Sequence, residues 1–160
     1  MDLATLWIPS VQDHHLRARY RVALSLGGWR VGAWKRTAVT ALREGLTHAC
    51  LPTAAGTFFV PPHPFDLASL TAALSRDLRR VMLTVDDHAL TVFARGEVRE
   101  RFARWGSDPA AVARALEVPT EQVALLIDPE TAAAQGDASR AEGEAWELMA
   151  LRLVESSPTE

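Results

Sequence analysis

The chain has 160 residues, 48% of them apolar and 23% charged, a balance that excludes a disordered or fibrous protein. No apolar run approaches the about 20 residues of a membrane-spanning helix, and the single cysteine, Cys50, excludes an internal disulfide framework. The net charge of −3 conceals an asymmetry: residues 1–80 hold ten basic and five acidic side chains, 81–116 five of each, and 117–160 two basic and ten acidic.

Leu3–Ile8 reads as a strand ended by Pro9. Ser10 with Asp13 reads as a capping box, and Leu16, Tyr20, Ala23 and Leu24 recur at helical spacing before Gly27-Gly28. The same stretch alternates at Leu16, Ala18, Tyr20, Val22, Leu24 and Leu26, which would make Gly27-Gly28 a hairpin turn. The capping signal is independent of either period and favours the helix. Trp29–Lys35 follows as a strand, Thr37–Glu44 as a helix, and Gly56–Val60 as a strand closed by Pro61, Pro62 and Pro64. Asp66 caps a helix with Leu67, Leu70, Ala73, Leu74 and Leu78 on its apolar side.

A three-stranded meander occupies about 81–103. Val81–Val85 and Ala89–Ala94 flank Asp86-Asp87-His88, and Arg95-Gly96 turns into Glu97–Ala103. Alternation assigns Val81, Leu83, Val85, Leu90, Val92, Val98 and Phe102 to a core face. Met82, Thr84, Thr91, Phe93, Arg99 and Arg101 fall on the opposite face. Ser107-Asp108-Pro109 starts a helix running to about Glu117, and Thr120 caps another ending near Asp128-Pro129. Glu130–Glu142 reads as a loop, and Gly143–Val154 as a last helix with Trp146, Met149 and Leu153 on one side. The expected architecture is a single α+β domain over residues 1–154, with 155–160 as a frayed tail. Its sheet is antiparallel or mixed, with helices packed mainly on one face.

Few residues suggest chemistry. The histidines are His14, His15, His48, His63 and His88, with neither a Cys pair nor an H-E-x-x-H spacing beside them. Asp86-Asp87-His88 holds metal-type donors but reads more simply as a polar turn. Cys50 and His48, two apart, read as core residues before they read as a thiolate–imidazole pair. Phosphate-loop, dinucleotide and nucleophile-elbow motifs are absent. The sequence therefore implies no cofactor, no metal and no catalytic residue, and it leaves small-molecule binding open. Arg17, Arg21, Trp29, Arg30, Trp34, Lys35 and Arg36 interleave cations with aromatics, as single-stranded nucleic acid binders do. The stronger reading makes such rings core, with the arginines as their solvated edge. Met82, Phe93, Arg99 and Arg101 combine apolar atoms with guanidinium groups on one sheet face, the composition of an interaction surface.

Val112-Ala113, Leu116-Glu117-Val118, Val123 and Leu126 resemble the helix-turn-helix pattern over residues 112–126. They depart from it at Glu117, where that family usually has Gly, and the second helix carries Glu121 and Asp128 but no cation. The run from Leu74 to Leu116, with its helix, strand, Asp86-Asp87, strand, Arg95-Gly96-Glu97 and strand, resembles uncharacterised bacterial α+β proteins of the immunity-protein-like kind. That resemblance implies a small cytoplasmic protein that acts by binding another protein; it transfers no functional residue. Sixteen of the seventeen basic residues are Arg, Asn is absent, and only Ile8 and Ile127 are Ile, the bias of a high-GC bacterial genome. The expectation is a non-catalytic interaction or regulatory protein with a protein partner or a second copy, and no membrane. The alternative is a nucleic-acid-binding regulator using the basic N-terminal part or residues 112–126.

Overall fold

In the strand Thr5–Ile8 (β1), Leu6 and Ile8 point to one side and Trp7 to the other, and all three are buried. A strand apolar on both faces belongs in the middle of a covered sheet. A computed structural model describes residues 5–9, 13–38, 47–53, 56–62, 65–104, 106–121, 123 and 144–152, and it puts β1 there. The other strands of its sheet are β3 (Lys35–Ala38), β4 (His48–Thr53), β5 (Gly56–Val60), β6 (Met82–Val85), β7 (Ala89–Ala94), β8 (Glu97–Ala103) and β9 (Glu144–Leu148). The spatial order is β3-β9-β4-β5-β1-β6-β7-β8, antiparallel at each pairing. A separate ribbon pairs β2 (Trp29–Val31) with β10 (Ala150–Arg152).

Two helices, α1 (Asp13–Leu26) and α2 (Leu67–Leu78), cover one face. Leu16, Tyr20, Leu24, Leu70 and Leu74 pack there on Leu6, Ile8, Cys50, Phe59, Met82 and Leu148. The third helix, α3 (Pro109–Leu116), covers the other face, with Val112, Ala113 and Leu116 against Trp7, Leu83, Leu90 and Val92. The caps follow the sequence: Asp66 accepts from Ser69 N at 3.2 Å, and Asp108 accepts from Ala110 N at 3.1 Å with Pro109 opening the helix. The α+β class, the meander and the helical reading of residues 16–26 therefore hold. Ser10, with the rest of its capping box before Asp13, lies outside the described residues.

Several expectations are corrected. Trp29–Lys35 is not one strand: it divides into β2 and β3 around Gly32. Thr37 and Ala38 continue β3 instead of opening a helix, and 39–46 lie outside the described residues. Gly143–Val154 is not a helix. Glu144–Leu148 inserts between β3 and β4, and Ala150–Arg152 pairs with β2. Trp146, Leu148 and Ala150 alternate as well as Trp146, Met149 and Leu153 repeat helically, and pairing on both edges of β9 favours the strand. Val98 is not core. A register shift between Val92 and Phe93 pairs Val98 with Phe93, across from the Leu90 side, and leaves it 53% exposed. The loop at 130–142 and most of the helix from Thr120 lie outside the described residues, although Val123 is buried against α3.

Candidate interaction surface

The face proposed from Met82, Phe93, Arg99 and Arg101 is not an open surface. Met82 and Phe93 are buried, and α2 crosses that side of β6–β8, its Ser75 hydroxyl accepting from Gly96 N at 2.9 Å. The bulge also separates the two arginines. Arg101 stays opposite Thr91, while Arg99 turns to Glu117 at the end of α3, 3.9 Å away. The two meander arginines thus lie on opposite faces of an edge strand.

The basic N-terminal residues are brought together. One flank of α1 carries Arg17 and Arg21, four apart and therefore neighbours. Arg21 Nε donates to Gly32 O at 2.6 Å, tying the helix to the chain between β2 and β3. The Arg17 guanidinium lies 3.8 Å from the centre of the Trp146 ring, and Trp34 Nε1 donates to Arg17 O at 2.8 Å. Arg36 is paired with Trp146 in the β3–β9 register, and Lys35 with Glu147. Arg21, Arg30, Lys35 and Arg36 are exposed, whereas Trp29 and Trp34 pack partly buried against the α1-side core. The cations are therefore presented and the rings of the same stretch are largely withdrawn.

Beneath this end lies a buried aromatic cluster that the sequence did not reveal. The Tyr20 hydroxyl and His48 Nδ1 share a hydrogen bond of 2.6 Å. Tyr20 stacks on Phe59 with ring centres 4.4 Å apart, and His48 meets Phe65 edge-on at 5.0 Å. His48 Nε2 is buried without a hydrogen-bond partner. Burial lowers the His48 pKa to about 4, and burial, with the nearby Cys50 second, raises that of Tyr20 well above its usual value. An imidazole so depressed is neutral near pH 7 and is a poor base to activate a thiol. The cluster fixes α1 on the sheet. The strand holding it, β4, carries one local signal in the sequence, the alternation of His48 and Cys50 before Pro52.

The remaining candidates have local roles. Asp86 Oδ1 accepts from His88 N at 2.8 Å and Ala89 N at 2.7 Å, the hydrogen bonding of a polar turn. Among the described residues no three His, Cys, Asp or Glu side chains cluster as a metal site would require. His14 and His15 are exposed on α1, and His63 lies outside the described residues. In the helix-turn-helix-like segment, Glu117 adopts the left-handed conformation (φ 60°) that Gly usually supplies, and Val112, Ala113 and Leu116 face the sheet. No helix among the described residues is long and apolar enough to cross a membrane. Compared with protein-family models, curated proteins and solved structures, the chain matches none.

Proposed function

We propose that this chain is a non-catalytic binding protein that recognises an acidic protein partner through the cationic end built by α1, β2 and β3. One observation carries the reading: Arg21, Arg30, Lys35 and Arg36 are exposed around one edge of the fold. Clustered like charges at a surface steer a partner of opposite sign and raise its association rate. The neutral, buried His48 and the turn-bound Asp86 support a non-catalytic role. The immunity-protein-like resemblance of Leu74–Leu116 agrees with a small bacterial protein that works by binding. A lone cysteine suits a reducing cytoplasm.

The nucleic-acid reading draws on the same cations but loses its second element, because Trp29 and Trp34 are engaged in the core instead of forming a stacking platform. The test is the double variant Arg30→Glu with Lys35→Glu. Against a polyglutamate peptide, wild type should bind with a salt-sensitive affinity that the variant loses, while circular dichroism shows the same fold. Binding of oligothymidylate but not polyglutamate would replace this reading with the nucleic-acid one.

A further inference from the structure

We propose that β3 is the docking edge itself, and that the acidic partner adds an extended segment to it as a further antiparallel strand. The inference rests on the acidic-partner reading above and specifies its geometry. Among the described residues, β3 ends the sheet and pairs only with β9, so its outer side presents a row of backbone N–H and C=O groups. Such a row is a template for another strand unless the fold blocks it.

The two edges of the sheet are treated differently. On β8 a bulge disturbs the ladder, and Glu97, Arg99, Glu100 and Arg101 mix both signs, so any incoming strand meets a like charge. On β3 the register is regular and the charges are of one sign. Arg36 shares the α1 face with Trp146, and Lys35 points to the other face opposite Glu147. Each face of the edge thus offers a cation, and an acidic strand finds a cross-strand partner whichever way its carboxylates point. A second copy of this edge would bring cation against cation, which disfavours pairing β3 to β3. A nucleic acid would use the cations but leave the backbone row unpaired.

The experiment uses the full chain and three probes: a capped peptide of alternating Glu and Val about six residues long, the same peptide N-methylated at every residue so that neither strand edge can donate, and a single-stranded oligothymidylate. N-methylation keeps the charge and removes the backbone donors. Binding is measured by calorimetry, and amide hydrogen exchange is followed across Lys35–Ala38. The expected result is binding of the plain peptide, a loss of at least about tenfold on N-methylation, and slowed exchange in β3. Equal binding of both peptides with unchanged exchange in β3 would overturn strand addition and leave the acidic-partner reading standing. Binding of neither peptide would overturn both, and binding of oligothymidylate alone would assign the cationic end to nucleic acid.

Discussion

The Tyr20 hydroxyl reaches His48 Nδ1 at 2.6 Å inside a fully buried contact between α1 and β4. Twenty-eight residues separate the two in sequence, so the bond docks the helix on the sheet instead of shaping either element locally. Tyr20→Phe keeps the stacking on Phe59 but leaves a buried ring nitrogen without a partner. Urea unfolding should show a loss of about 1–3 kcal/mol. A change within a few tenths of a kcal/mol would mean that the hydroxyl contributes nothing to docking.

The same histidine sets a pH dependence. Its pKa is about 4 in the folded protein against 6.5 for the free side chain, so between those values the unfolded chain binds more protons. Stability is then complete above about pH 6.5 and falls as the pH drops toward 4, by about 3 kcal/mol for this residue. Tyr20 acts at the other limit: with its folded pKa raised, stability falls as the pH climbs past 10. Denaturant midpoints from pH 7 to 4 check the acid side, and His48→Gln should flatten that portion of the curve. An unchanged acid slope in the variant would place the titration on other groups.

The meander supplies a contrast between two valines. Val92 is fully buried on the α3 side and Val98 is half exposed, although simple alternation assigns both to one face. Val92→Thr should cost about 1–3 kcal/mol by placing a hydroxyl in the α3-side core. Val98→Thr should stay within about 0.5 kcal/mol. Equal losses at both positions would contradict the bulge.

That pair also shows where the sequence was readable. Caps such as Asp66 and Asp108, the Arg95-Gly96 turn and the alternation of β6 and β7 are local signals, and the structure follows them. The bulge in β8 has no local signature, and it moved both Val98 and Arg99. In β9 the local strand and helix periods compete, and it becomes a strand because two strands from the first half of the chain pair with it. One cross-strand row consequently runs Arg36, Trp146, Cys50, Phe59, Leu6, Thr84, Thr91, Arg101 across the whole sheet, a juxtaposition set by long-range register. The basic cluster was legible as composition. Which of its members face water was not, because that depends on α1 packing against Trp34 and against Trp146 of β9.

Leu83 tests the second core layer. It is fully buried on β6 in the cluster formed by Trp7, Val92 and Leu116 beneath α3. Leu83→Ala should cost about 2–5 kcal/mol, the range for large truncations in a packed core. A loss below about 0.5 kcal/mol in denaturant unfolding would mean that α3 does not pack there as described.

Gly56 opens β5 opposite Thr53. Its φ of +146° lies in a region that side chains avoid, and a Cβ there would sit 2.7 Å from both the Ile8 carbonyl oxygen and Trp7 Nε1. The first of these is backbone of the strand paired with β5, and the second belongs to a buried ring, so neither can retreat without shifting the β1–β5 ladder. Gly56→Ala therefore combines conformational strain with a steric clash at the centre of the sheet. It should destabilise the fold by about 2 kcal/mol or more, with the near-ultraviolet circular dichroism of Trp7 altered along with it. Gly28→Ala is the control: its φ of +91° carries strain, but nothing lies within 4 Å of the added methyl. Thermal unfolding should rank Gly56→Ala clearly below Gly28→Ala, and equal midpoints would show that the close approach to Ile8 and Trp7 carries no energetic weight.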